Sequence, residues 1–346
     1  MNKKKLIEKN EISPEIKHSL KKRVITGLIF AAIAIPCIVI GNWAFFAFVL
    51  ALTIISAYEL VHITKIEGKL RIVTYVAVIT LLVFLTYFIF FRNNWTAIKN
   101  GIPMDAWDFV FTGFTNLEVS SMLIIVAAII FFWISFATEK FTLFYVFYFI
   151  TMIVIMALGF QSFLYLRFSP FDAWKYADAS FFNRGSFPYL ESLLLVLYVA
   201  IGTLMNDTGA YFVGILFGKH KMNERISPKK TWEGFVGGIV ISAISSFVFA
   251  LILALTGNPI LPRFAIDQQF YFVPFISIMM PLAGDIGDFV FSSIKRNAGI
   301  KDFSNLLPGH GGMLDRIDSL LFSCGSVAAM IALLDFISPI IENIKA

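Results

Sequence analysis

Apolar residues run along this chain in long unbroken stretches, neither alternating as in a half-buried strand nor forming the single stripe of a surface helix. The segment WAFFAFVLALTIISAYELVHI is one of several, each long enough at about 1.5 Å rise per residue to cross a hydrocarbon layer about 30 Å thick. A segment in lipid must satisfy its own backbone N–H and C=O groups, and continuous hydrophobicity selects helices over a barrel. The pattern predicts an all-α, polytopic integral membrane protein with about nine transmembrane helices, near residues 24–41, 43–63, 71–91, 120–137, 142–166, 189–217, 234–256, 270–292 and 317–338.

Composition agrees: 58% of the 346 residues are apolar and 15% charged, which excludes a water-soluble globule. Charge then orients the spans. Most of the 28 Lys and Arg residues fall in the first 23 positions, the turn 64–71 and the stretches 218–233 and 292–316, so the N-terminus is predicted to be cytoplasmic and the C-terminus outside. Topology accounts for these cations, and no nucleic-acid partner is predicted. Residues 1–23 read as a basic cytoplasmic tail rather than a cleaved leader, with Ile7 to Lys22 either lying on anionic headgroups or disordered. Cys37 and Cys324 fall inside spans, which predicts packing rather than a disulfide or metal site. Trp95, Trp107, Phe109, Trp174 and Phe182, in the outer stretches 92–119 and 167–188, read as interfacial anchors. Four parts follow: the tail, an N-terminal transmembrane region 24–188, a polar-bearing region 189–338 and a short tail 339–346.

Ionisable groups at membrane depth are expensive and point to function. Before residue 189 the main one is Glu59; after it there are three clusters. In the first, Asn206 and Asp207 lie deep in a span that leads into Lys219, Lys221, Arg225, Lys229 and Lys230 within GKHKMNERISPKKTWEG. That arrangement suits a polyanion such as a nucleoside triphosphate, with a structural ion pair as the alternative. Pro228 fixes the backbone at the span boundary, and Gly234, Gly237 and Gly238 permit close approach. In the second, Asp285, Asp288, Ser292 and Lys295 are spaced +3, +4 and +3 and share one helix stripe. Two such acids one turn apart call for a cation between them or for a proton relay. In the third, Pro308, Gly309, His310, Gly311 and Gly312 break the chain before a helix that opens with Asp315, Arg316 and Asp318. The loop offers a phosphate seat, where His310 ligates a metal or holds the loop through a carbonyl. Carboxylates without Cys favour Mg²⁺ or Mn²⁺ over zinc.

The run SSIKRNAGIKDFSNLLPGHGGMLDRID, through Ser292, Lys295, Arg296, Lys301, Asp302, Ser304, Leu307, Pro308, His310, Gly311, Gly312, Asp315, Arg316 and Asp318, resembles the signature of the phosphatidate cytidylyltransferases, the CDP-diacylglycerol synthases. Asn206, Asp207, Tyr211 and SPKKTWEG look like the same family, so the resemblance covers roughly residues 200–325. It implies conversion of CTP and phosphatidate to CDP-diacylglycerol and pyrophosphate, with Mg²⁺ required and room for a second cation, K⁺ or Mn²⁺. It also implies a funnel open to the cytosol and sideways to the inner leaflet of a plasma membrane, and a homodimer among membrane lipids. Carried onto this chain, Asp288 and Asp315 would ligate metal with Asp318 in support and Asp285 as a secondary position. Ser292 would orient an oxygen, Lys295 and Arg296 would hold phosphates, and Lys229 or Lys230 would bind the triphosphate. Asn206, Asp207, Lys301, His310, Gly311, Gly312 and Arg316 complete the expected substrate site. The alternatives are a CTP-dependent lipid kinase, an archaeol-type cytidylyltransferase and, from another class, a cation-coupled transporter.

Overall fold

The computed structural model describes residues 14–99, 117–168, 188–261, 264–266, 269–307, 309 and 311–345. Among them the chain forms nine α-helices: α1 Pro14–Ile40, α2 Asn42–His62, α3 Gly68–Lys99, α4 Leu117–Ala137, α5 Leu143–Phe168, α6 Pro188–Phe217, α7 Trp232–Leu255, α8 Val273–Asn297 and α9 Leu314–Lys345. Seven of these are long and apolar enough to cross a membrane, and α1 and α4 contribute shorter apolar stretches, Ile25–Ile40 and Ile124–Ala137. The helices are apolar on nearly every face, and side chains such as Phe136 on α4, 91% exposed, turn outward where lipid is the only suitable neighbour.

Helix α5 is the post of the N-terminal bundle, packing against α2, α3 and α4 on one side and against α6 and α9 on the other. Aromatic rings fill this region: Phe149 stacks on Phe131 at 5.4 Å and Phe141 at 5.9 Å, and Tyr148 meets it edge-on at 5.1 Å. Buried hydroxyls and amides in it turn back to main-chain carbonyls, as where Gln161 on α5 donates to Leu85 on α3. Beyond α5 the packing changes character. Helices α6 and α7 form the most intimate pair in the described structure, and α8 and α9 close over them. Gly238 lies against Asn206 and Ala210, and Gly234 against the Ala210 carbonyl and Gly214, so each backbone runs in the groove of the other.

The stretch 218–233 contains an antiparallel hairpin of β1 Lys221–Asn223 and β2 Ser227–Thr231, the only β-strands among the described residues. The Asn223 side chain makes the turn by accepting from the N–H groups of Arg225 and Ile226 at 3.1 and 3.2 Å. Thr231 ends β2 and caps α7, its hydroxyl accepting from Gly234 N–H at 3.2 Å. Helix α8 runs to Asn297, past the predicted span end near 292, so Ser292 and Lys295 stand on the same helix as Asp285 and Asp288, as their spacing predicts, and Arg296 stands there with them. The basic segment before the first span is helical from Pro14 onward and continuous with α1. Trp107, Phe109, Trp174, Phe182, Pro308 and His310 lie outside the described residues.

Candidate functional site

Helix α8 carries the stripe that the spacing predicts, and its acids meet partners from other elements. Lys230, at the end of β2, reaches in so that its Nζ lies 2.7 Å from Asp288 Oδ2 and 3.5 Å from Asp285 Oδ1. Ser292 Oγ donates to the other oxygen of Asp288 at 3.2 Å. Burial by itself would lower the pKa of Lys230, but the charges of Asp288 and Asp285 and their hydrogen bonds outweigh it, and the net displacement is upward. The ammonium is held charged among acids.

One turn further along, Lys295 Nζ donates to Asp315 Oδ1 at 2.6 Å, with side chains 10% and 3% exposed. The second oxygen of Asp315 accepts from the N–H groups of Phe303 at 2.9 Å and Gly312 at 2.8 Å. Asp315 is thus the inner wall of the loop that precedes α9. Asp318, also buried, accepts from its neighbour Ser319 N–H at 2.8 Å and faces the same collection of charges. A left-handed φ of 88° at Gly311 turns the chain here, and a side chain would run into Asp302 and Asp315.

Between α6, the hairpin and the start of α7 opens a cavity of about 460 Å³, lined among others by Asp207, Tyr211, Lys221, Lys229, Lys230 and Asp285. Four expected site residues therefore meet at one mouth: Asp207, Lys229, Lys230 and Asp285. Asn206 is buried behind them against Gly238. Lys301, Gly309 and Arg316 are exposed. The Arg296 guanidinium, expected to hold phosphate, donates to the carbonyls of Ile226 and Ile300 at 3.2 Å each, and Arg225 reaches Asn297 at 3.3 Å. These contacts pin the hairpin to the end of α8.

Asp288 and Asp315, the expected metal ligands, stand on different helices, and among the described residues no three acidic, His or Cys side chains come together to enclose an ion. The residues still fit a divalent cation that completes its shell with water and substrate oxygens, as Mg²⁺ commonly does. Asp285 Oδ2 and Asn206 Oδ1 are buried oxygens without a hydrogen-bond partner, and Asp288 and Asp315 are each already neutralised by an ammonium.

Sequence reasoning noted Glu59 but gave it no partner. It is fully buried on α2, and its carboxylate accepts from Ser304 Oγ at 2.6 Å and from the N–H groups of Met313 and Leu314 at 2.8 Å each. Gly312 has no side chain because a Cβ there would fall 2.7 Å from that carboxylate. Its standing as the main ionisable residue inside the spans before residue 189 was the available signal.

Comparison with known proteins points one way. The model of the Cytidylyltransferase family matches residues 21–334. A phosphatidate cytidylyltransferase of Bacillus subtilis is 27% identical over 303 residues, 88% of this chain and 94% of that protein, and one of Staphylococcus haemolyticus is 27% identical over 305 residues, 88% and 95%. A phosphatidate cytidylyltransferase of Mycobacterium bovis is 40% identical over 138 residues, 40% of each chain.

Proposed function

The chain belongs to the cytidylyltransferase family, and from that premise we propose that it is a phosphatidate cytidylyltransferase, converting CTP and phosphatidate to CDP-diacylglycerol and pyrophosphate. An oxygen of the lipid phosphate attacks the α-phosphorus of CTP, a new P–O bond forms, and the bond from the α-phosphorus to the bridging oxygen breaks so that pyrophosphate leaves. That nucleophile is already anionic at neutral pH, so the chain has to align two polyanions and needs no strong general base. The single observation that supports this best is the mouth where Lys229 and Lys230 meet Asp207 and Asp285, beside the stripe of Asp288, Ser292 and Lys295.

In this reading Lys221, Lys229 and Lys230 hold the triphosphate as point charges, and Lys230 leaves Asp288 for phosphate oxygens when CTP enters. Mg²⁺, held by Asp288 and Asp315 with Asp285 and Asp318 in support, would supply the remaining charge neutralisation on the triphosphate and leaving group. Ser292 orients an oxygen beside Asp288, while Gly311 and Gly312 let the loop before α9 close against Asp315 and Glu59. Arg296 keeps the hairpin seated. The reading further places the enzyme in a bacterial plasma membrane with the site facing the cytoplasm, supported by the bias of Lys and Arg toward one side of the spans and by the bacterial relatives, and takes it to act as a homodimer.

The test is incubation of the detergent-purified chain with phosphatidate and CTP labelled separately in the cytidine and the γ-phosphate, with and without EDTA. Cytidine label in the lipid with equal pyrophosphate release is the expected result. Label from the γ-phosphate alone would make it a lipid kinase, and transfer undiminished by EDTA would remove the Mg²⁺ assignment.

A further inference from the structure

The loop between α8 and α9 is held by two carboxylates that divide its donors between them. Asp315 takes the N–H groups of Phe303 and Gly312, and Glu59 takes the Ser304 hydroxyl and the N–H groups of Met313 and Leu314. Asp315 comes from within the candidate site, whereas Glu59 comes from α2, more than two hundred residues away along the chain. A carboxylate is acceptor-only, so all three donors that meet Glu59 are matched, and its charge lies at the positive N-terminal end of α9. The remaining oxygen of Asp315 is left to face Lys295.

We propose that Glu59 is a positioning residue for the transfer reaction: by capping α9 from outside, it frees Asp315 from that duty and keeps it aimed at Lys295 and the reacting phosphates. The inference rests on the cytidylyltransferase reading above. Without Glu59, the buried N–H groups of Met313 and Leu314 lose their acceptor, and Asp315, next to Leu314 in the chain and already accepting from Gly312 N–H, is a carboxylate that can turn back to them. Asp315 would then cap its own helix and desert Lys295. Glu59 touches neither substrate in this account and acts entirely through Asp315.

The experiment uses the full-length chain in detergent, with kcat and KM for CTP and phosphatidate measured for the wild type, Glu59→Gln, Glu59→Asp and Ser304→Ala, and melting temperature recorded in parallel. Glu59→Gln is expected to lower kcat by about tenfold or more while both KM values move by less than about threefold, the signature of an interaction needed in the transition state. Glu59→Asp, which keeps two acceptor oxygens, is expected to recover most of that loss. Ser304→Ala removes one donor of three and is expected to lower kcat by about twofold to fivefold in a fully folded protein, which keeps the test decisive if the Glu59 variants fail to fold. The proposal is overturned by a Glu59→Gln enzyme within twofold of wild-type kcat, or by a loss that tracks melting temperature and is the same in Glu59→Asp. It is equally overturned by a folded Ser304→Ala with unchanged kcat. A wild type that transfers no cytidylyl group removes the parent reading and this one with it; an active wild type with an indifferent Glu59→Gln removes this one alone.

Discussion

The bundle of α1 to α5 and the assembly of α6 to α9 are built from similarly apolar helices, yet they pack by opposite means. In the first, large rings interlock, as where Phe131, Phe141 and Phe149 stack on one another. In the second, side chains are removed where α6 meets α7, and Gly209, Gly214, Gly234 and Gly238 let the two backbones nearly touch. Lipid tails are as apolar as Phe or Leu, so neither arrangement is driven by escape from water; each relies on the quality of fit. Rings fill volume and tolerate small displacements. Backbones in contact tolerate almost none, and that is where Asn206, Asp207 and the lysine-bearing hairpin are hung.

The contrast breaks most visibly at Asp315. Asp315→Asn keeps the shape but loses the charge facing Lys295, and kcat is expected to fall by about a hundredfold or more, with helical content by circular dichroism unchanged. A wild-type rate in that variant would place the chemistry elsewhere. Next in size is a change confined to the ring-packed bundle. Phe149→Ala empties a fully buried site and is expected to remove about 3–5 kcal/mol of stability, while turnover per folded molecule stays as it was. Denaturation in detergent, with activity normalised to the folded fraction, separates the two effects.

Gly238→Ala sharpens the comparison from the other side. Its Cβ would sit 2.8 Å from the Asn206 carbonyl oxygen and 2.9 Å from the Ala210 Cβ, too close for either backbone to ignore. We expect about 1–3 kcal/mol of destabilisation, less than for Phe149→Ala, but accompanied by a rise in KM for CTP because α6 carries Asp207 away from the mouth. Equal effects on KM from both variants would dissolve the distinction between the regions. The smallest effect concerns pH. The pKa of Lys230 is raised above its ordinary 10.5, so whatever its ion pairs contribute is complete below that value and is lost only as pH climbs through the higher folded-state value. KM for CTP measured from pH 7 to 9.5 is therefore expected to show no titration from Lys230, and Lys230→Gln to raise it by a similar factor at every pH in that window. A wild-type KM that climbs within the window, and a variant that does not, would contradict the charge assignment.

Much of this was legible in the chain. Unbroken apolar runs mark the helical stretches because a helix in lipid satisfies its backbone locally, and spacing alone puts Asp285, Asp288, Ser292 and Lys295 on one stripe. What could not be read is whatever depends on how one helix lies against another. Arg296 sits one residue from Lys295, and only the placement of the hairpin shows that it reaches the Ile226 carbonyl. Asp288 and Asp315 look interchangeable as acids in a pattern; they differ because Lys230 comes to the first from β2, while the second is spent on the loop. Glu59 could be noticed as a misfit in its span, but its partners lie across the fold, where no local period reaches.

The division of loop donors between Glu59 and Asp315 has a consequence for how this protein can vary. Contributions alternate by position: residues 303 and 312 go to one acid, 304, 313 and 314 to the other, and Leu307 and Gly311 bond each other across the middle at 2.9 and 3.1 Å. Such an arrangement counts residues rather than recognising them. Most of the donors are main-chain N–H groups that any residue but proline supplies, so side chains at exposed positions such as Asn305 and Leu306 are free to drift. Adding or deleting a single residue there would change the length of chain joining the donors at 303 and 304 to those at 312–314, making the segment permissive to substitution and sensitive to length.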